Sequence, residues 1–194
     1  SKLWLQPRTM VYQQPNVMLA LLKKLTAVVI DYVNAQIAAG ADAIMIFDSW
    51  GGVLSHQSYQ DFSLRFMQQI ADSVNREREG QRIPLIFYTK QAAPWLSLLA
   101  DSGCDAIGVD WTIDMATARD LVNDRVALQG NLDPAVLFSG SDVITHEVRA
   151  ILHAMDGSAG HVLNLGHGID KDTPIDAVHA MIKALHDYHR VEAV

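Results

Sequence analysis

The feature of this 194-residue sequence that most restricts its fold is a recurring unit, a short apolar run that ends on polar side chains and is followed by a helical stretch. Ile44-Met45-Ile46-Phe47-Asp48-Ser49 is the first such run. The others are residues 84–90, 106–111, 126–131 and 161–165, the last leading into Gly166-His167-Gly168. Four apolar or aromatic residues in succession suit a strand buried on both faces. A carboxylate and a hydroxyl cannot stay in such a strand unless they are hydrogen-bonded or face a pocket, so Asp48 and Ser49 belong where the strand stops. Strand–helix alternation implies a parallel sheet with right-handed crossovers. In such folds ligands are held at the carboxyl ends of the strands. The expected class is therefore α/β. One architecture is a five-stranded open sheet. The other is a partial (β/α)8 barrel of TIM type with about five parallel strands, since a full barrel takes roughly 250 residues.

Between the runs the periodicity is helical. Pro15 suits a first turn, and Leu21, Leu22, Leu25, Val28, Val29, Tyr32, Val33 and Ile37 recur at helical spacing, which predicts a long amphipathic helix over 15–39 that stops at Gly40. The residues before it, interrupted by Pro7 and Arg8, read as an irregular lead-in. A second helix is expected over 57–78, with Phe62, Phe66, Ile70 and Val74 on one stripe and an exposed end, 75–80, that reads as a charged turn with a solvated face. Shorter helices are expected over 93–102, 115–123 and 141–155, the last with Ile144, Val148, Ile151 and Leu152 inward. Asp133 before Pro134 reads as a helix cap followed by a first-turn proline. Thr173-Pro174-Ile175-Asp176 resembles a capping box opening a final helix with Val178, Met181, Ile182 and Leu185 as its core stripe. Nothing in the sequence marks a linker, so residues 1–194 are expected to form a single domain.

The balance of charge narrows the partners. A net charge of −7 argues against non-specific nucleic-acid binding and against an acidic membrane surface. Cys104 is the sole cysteine, so no intrachain disulfide forms, and a cytoplasmic location fits. No apolar run approaches the ~18 residues of a membrane-spanning helix, and the opening residues lack the apolar stretch of a secretory signal. The chain begins at Ser1 rather than Met, which leaves its natural start open.

Five strand ends carry groups able to do chemistry: Asp48 with Ser49, Thr89 with Lys90, Asp110, Asn131 and His167. Polar groups that converge on one rim suit a binding site. His167 lies between two glycines, which let a backbone approach a ligand or take positive φ, and histidine can donate, accept or transfer a proton near neutral pH. Ser49 lacks a Gly-x-Ser-x-Gly setting, so it reads as a hydrogen-bonding group rather than an acyl-transfer nucleophile. Asp48 reads as capping a loop or forming an internal pair, Phe47 as core, and Lys90 with Asp110 as a charge pair. His179, His186 and His189 lack the carboxylate or cysteine company of a metal site and read as a solvated helix end. Gly-x-Gly-x-x-Gly and Walker patterns are absent, so nucleotide binding has no support.

Taken together, Phe47-Asp48-Ser49-Trp50-Gly51-Gly52, Thr89-Lys90, Gly108-Val109-Asp110-Trp111, residues 128–134 (Leu-Gln-Gly-Asn-Leu-Asp-Pro) and residues 164–168 (Asn-Leu-Gly-His-Gly) resemble the uroporphyrinogen decarboxylase family, in its C-terminal portion. The resemblance runs from about residue 10 to residue 189. It implies a (β/α)8 barrel, usually a homodimer. It also implies a cofactor-independent carboxy-lyase that converts uroporphyrinogen III to coproporphyrinogen III in haem biosynthesis, releasing four acetate carboxylates as CO2. Ser49 and His167 occupy the positions of substrate-contacting residues, and Phe47 that of an aromatic at the cleft wall.

The family's arginine-rich loop, the aspartate that meets the pyrrole N–H groups and a later tyrosine have no counterpart in these residues. No catalytic residue is therefore assigned, a separate N-terminal half is a candidate partner, and the chain alone is expected to be inactive. A non-catalytic fragment or assembly partner is the alternative outside enzymology. Corrinoid methyltransferases of the same superfamily are another, but they bind zinc through histidine and cysteines. Tyr88-Thr89-Lys90 stands here where a His-x-Cys pair is expected, so no metal and no cofactor are anticipated.

Overall fold

The computed structural model describes residues 4–158 and 160–188. The chain falls into two compact units, the first ending at Ala106 and the second beginning at Ile107.

The first unit opens with two helices, α1 (Leu5–Gln13) and α2 (Pro15–Ala38). The expected irregular lead-in is thus helical over α1. Pro7 falls in the first turn, where its missing N–H has no intrahelical acceptor to lose. Pro15 starts α2 as expected, and Gly40 follows its end at φ +110°, a conformation open to glycine. Helix α2 buries Met18, Thr26, Val33 and Ile37. Leu21, Leu25, Val28 and Tyr32, expected on the buried stripe, lie on an exposed face with Val17. The helix is apolar on more than one side, so spacing alone did not select the face that packs.

Strand β1 (Ile44–Asp48) follows α2. The expected helix over 57–78 is divided into α3 (His56–Tyr59), a π-helical turn (Gln60–Leu64) and α4 (Arg65–Ser73). Phe66, Ile70 and Val74 are buried as anticipated. The charged turn belongs to a hairpin, so 77–78 are strand rather than helix, with β2 (Glu77–Arg78) antiparallel to β3 (Gln81–Arg82) through Glu79 and Gly80, both at positive φ. Its charges are not merely solvated. Arg78 donates to the Ala41 carbonyl (2.8 Å) and to Asp42 (2.9 Å), while Arg76 (2.7 Å) and Arg82 (2.8 Å) both donate to Asp105.

Strand β4 (Leu85–Thr89) runs parallel to β1, with Ile44 opposite Leu85 and Asp48 opposite Thr89. A short 3-10 turn and α5 (Leu96–Ala100) lead to Gly103 at φ +88° and then to β5 (Ala106–Gly108). Asp105 anchors this passage. Its carboxylate accepts the Leu85 N–H (2.8 Å), and its own N–H donates to the Leu85 carbonyl (2.8 Å).

In the second unit, α6 (Met115–Val122) is capped by Asp114, which accepts the Thr117 N–H at 2.9 Å. Strand β6 (Ala127–Leu132) runs parallel to β7 (His161–Leu165), with Leu128 opposite His161. Asp133 caps a 3-10 turn, Pro134–Phe138, by accepting the Ala135 N–H. Helix α7 (Ser141–Ala154) packs Ile144, Val148 and Leu152 against Leu132 and Leu137. Helix α8 (Ile175–His186) joins this core through Ala177, Met181 and Ala184, one helical face at i, i+4, i+7. Ile182 and Leu185, expected inward, are exposed. Two alanines on the packing face let α8 come close to α7, and larger residues there would hold it off. The capping box at 173–176 does not form: the cap position is Pro174, and the buried Thr173 hydroxyl has no hydrogen bond.

Five strands form one parallel sheet in the order β1-β4-β5-β6-β7. Each strand therefore neighbours the next parallel strand in sequence. A doubly wound sheet reverses its order at a switch point, whereas a (β/α)8 barrel does not, so the topology is that of a partial barrel. Among the described residues no helix is long and apolar enough to cross a membrane.

Asp105 gives this frame a measurable dependence on pH. Burial opposes its ionisation, but the Leu85 N–H, the hydrogen bond from Arg82 and the charges of Arg76 and Arg82 together hold its carboxyl below the usual range. A carboxylate whose folded pKa is depressed stabilises the fold above its unfolded value, and that contribution is lost as pH falls through the folded one. Asp105→Ala should cost roughly 2 kcal/mol at pH 7. In urea titrations the gap between variant and parent should close as pH drops below about 4.

Candidate functional site

Each unit carries its own cluster at its strand ends. In the first, β1 stops at Asp48 and the chain turns through Ser49 and Trp50 into a 3-10 turn, Gly51–Val53. The Asp48 carboxylate points inward. It accepts from the Ser63 hydroxyl, from the Thr89 side chain and from the Gly51 N–H. Thr89 is fully buried, as is Tyr59, and their hydroxyls lie 2.9 Å apart. Since the single Thr89 proton goes to Asp48, the Tyr59 hydroxyl donates to Thr89. Burial pushes the Asp48 carboxyl up, and the Ser63, Thr89 and Gly51 hydrogen bonds oppose the shift. Burial likewise pushes the Tyr59 phenol up, so it stays a neutral donor. Asp48 is therefore a loop anchor, as its position suggested.

The glycines after Trp50 answer close approach rather than unusual φ. A Cβ on Gly51 would lie 2.0 Å from the Asp48 carboxylate and 2.9 Å from the Tyr59 ring, and one on Gly52 would lie 2.1 Å from the Lys90 carbonyl. The turn is thus pressed onto both Asp48 and the end of β4. Above it, Lys90 Nζ stands 5.8 Å from the Trp50 ring centroid. Ser49 is half-buried, and Trp50 is 50% exposed. Phe47 is 63% exposed, with its ring 5.6 Å from that of the buried Tyr88. The expectation that Phe47 is core fails, because alternation along β1 turns it to the face opposite Asp48. A cavity of about 410 Å³ adjoins the turn, with Asp48 and Ser63 among apolar neighbours including Met18, Leu22, Val53 and Phe62.

In the second unit, Asp110 accepts from the Thr112 N–H (2.9 Å) and hydroxyl (2.5 Å). The Asn131 amide donates to the carbonyls of Asp110 (3.0 Å) and Ile113 (2.6 Å). Both residues are buried and tie loops together. His167 is exposed, and its Nδ1 accepts the Gly168 N–H at 2.6 Å. That bond leaves the ring proton on Nε2. Trp111 flanks it at 6.2 Å between ring centroids. Neither glycine beside His167 has positive φ. Gly166 is required because a Cβ there would lie 2.6 Å from the Trp111 nitrogen, while Gly168 has open space around it.

Of the polar strand ends read from sequence, Asp48, Thr89, Asp110 and Asn131 serve internal hydrogen bonds, whereas Ser49 is half-buried and His167 is exposed. Tyr59 and Ser63 were not anticipated. Their hydroxyls sit four residues apart among the buried positions of a helical stretch, a pattern that signals a buried polar partner. Among the described residues no three metal-ligating side chains cluster; His189 lies outside the described residues. His179 faces Asp176 at 4.0 Å on the exposed side of α8.

The topology and the strand-end groups define an α/β protein of (β/α)8 type. The family model for uroporphyrinogen decarboxylase (URO-D) matches residues 2–188, and the chain belongs to that family. A uroporphyrinogen decarboxylase of Coxiella burnetii is 52% identical over 188 residues, covering 97% of this chain and 52% of the relative. One from Nitrosomonas europaea is 54% identical over 181 residues, 93% of this chain and 51% of the relative. The chain thus spans about half the length of the curated relatives it matches. Among solved structures, a methyltransferase from Methanosarcina mazei superposes with a TM-score of 0.72 at 28% identity, covering 84% of this chain and 47% of that one.

The glycine contacts set a test of the site's packing. Gly51→Ala and Gly166→Ala should each lower stability by about 1–3 kcal/mol, through overpacking against atoms that cannot yield. Gly168→Ala should leave the denaturation midpoint unchanged.

Proposed function

We propose that this chain provides substrate-binding groups of a uroporphyrinogen decarboxylase acting on uroporphyrinogen III to form coproporphyrinogen III. Family membership over residues 2–188 carries the reading. Each of four acetate arms loses CO2 and gains one proton, leaving a methyl group. The step needs a protonated pyrrole beside the arm and stabilisation of the positive charge that results. The Ser49 hydroxyl and the His167 Nε2–H are donors suited to substrate carboxylates, and the exposed Phe47 ring is an apolar wall for a pyrrole. A cofactor-free reaction, a homodimer and a cytoplasmic setting belong to the same reading. The aspartate and arginines that the resemblance assigns to the reaction are not among these residues, so the 194-residue chain alone should not turn substrate over.

The likeness to a methyltransferase raises a second reading, a zinc-dependent enzyme of the same superfamily. Cys104 speaks against it. The sole thiol is buried, donates to the Leu99 carbonyl at 3.5 Å, and is pushed up by burial, which disfavours the thiolate that zinc requires.

A chimera in which these residues replace the matching 188 residues of the Coxiella burnetii relative tests the proposal. It should convert uroporphyrinogen III, and Ser49→Ala and His167→Asn should each reduce kcat/KM by about tenfold or more, the loss of a hydrogen bond to a charged group. A chimera indifferent to both substitutions would remove Ser49 and His167 from the site.

A further inference from the structure

We propose that Asp48 is a positioning residue that acts through Ser49, its carboxylate clamping the turn 49–52 so that the adjacent hydroxyl is held at the end of β1. The clamp has three jaws from different elements. The Gly51 N–H comes from the turn itself, the Thr89 hydroxyl from the end of β4, and the Ser63 hydroxyl from the π-helical turn. Behind Thr89 stands Tyr59, which is itself fully buried. Its ring stacks on Trp95 at 4.3 Å between centroids, and the Trp95 indole N–H donates to the His56 carbonyl at 3.2 Å.

The arrangement is specific to an acceptor. Every hydrogen bond to the Asp48 side chain is donated to it, so an amide at this position would set its NH2 against one of those donors. Gly51 matches the same requirement from the other side, because only a residue without Cβ lets its N–H reach the carboxylate. Gly52 fixes the far end of the turn against the Lys90 carbonyl. Between these two fixed points and β1, Ser49 has little freedom, which is the pre-organisation a substrate-contacting hydroxyl needs. The π-helical turn fits this role. It inserts one residue into an otherwise α-helical stretch and brings Ser63 onto Asp48, and such insertions are frequent at functional sites.

The proposal rests on Ser49 meeting substrate, and two measurements separate the parts. Amide hydrogen exchange of this chain reads the clamp directly. In Asp48→Asn the amides of Trp50, Gly51 and Gly52 should exchange about tenfold faster or more, while those of β1 and β4 keep their protection. Ser63→Ala, which removes one donor and leaves the carboxylate two, should show the same pattern more weakly and serves if Asp48→Asn does not fold. Turn amides as protected as in the parent in the folded variant would overturn the clamp. In the decarboxylating chimera, Asp48→Asn should raise KM more than it lowers kcat, and the Asp48→Asn/Ser49→Ala double variant should be no worse than Ser49→Ala alone. Additive losses would overturn the action through Ser49. An inert Ser49→Ala would instead sink the substrate reading and leave the exchange result standing.

Discussion

A carboxylate at the inner face of a strand end must be given donors or the strand cannot end there. Asp48 imposes that requirement on the first unit, and much of the local sequence answers it. Its neighbour on β4 is a threonine, its turn carries a glycine at the point of contact, and the facing helix supplies a serine. Even so, burial outweighs these bonds and raises the carboxyl. Its ionisation therefore opposes folding, at a cost that grows as pH rises from the ordinary carboxylate pKa through the raised one and persists above it. A site that holds a charge in this way favours position over stability, a pattern common where a fold meets its chemistry.

The two units solve the same problem differently. In the first, the strand-end groups form a closed relay behind an exposed face carrying Phe47, Ser49 and Trp50. In the second, Asp110 and Asn131 knit the loops together while His167 stands outside them, its tautomer set by the next residue's N–H. Both commit buried strand-end groups to holding the turns that carry Ser49 and His167. On the proposed reading the substrate is rich in carboxylates, toward which neutral or cationic donors are the suitable chemistry.

The strands were legible in the sequence because a doubly buried strand needs an uninterrupted apolar run, and each run found holds a strand, the one at 106–111 ending three residues early at Gly108. The helices were legible in extent more than in orientation. Helices α2 and α8 carry apolar residues on more than one side, so spacing named a stripe while packing chose another. The turn near 79–80 was legible, but the hairpin strands around it were not, because their charges resemble a solvated helix end, and only Asp105 and Asp42, distant in sequence, show that they are paired. At the site, position along the strand marked Asp48, Ser49 and His167. It could not tell a presented group from a buried one, since that depends on partners such as Tyr59 and Ser63 in another element.

The π-helical turn at Gln60–Leu64 has a consequence for how this segment tolerates change in length. Each residue of an α-helix advances the chain by about 100° around the axis. The widened turn therefore sets the phase between two halves of one rod, with Tyr59 before it reaching Thr89 and Phe66 and Ile70 after it filling the core. A single deletion within 60–64 would restore regular coiling and yet rotate one half against the other. Here the count of residues is constrained together with the identity of Ser63, whose hydroxyl meets Asp48 in this phase.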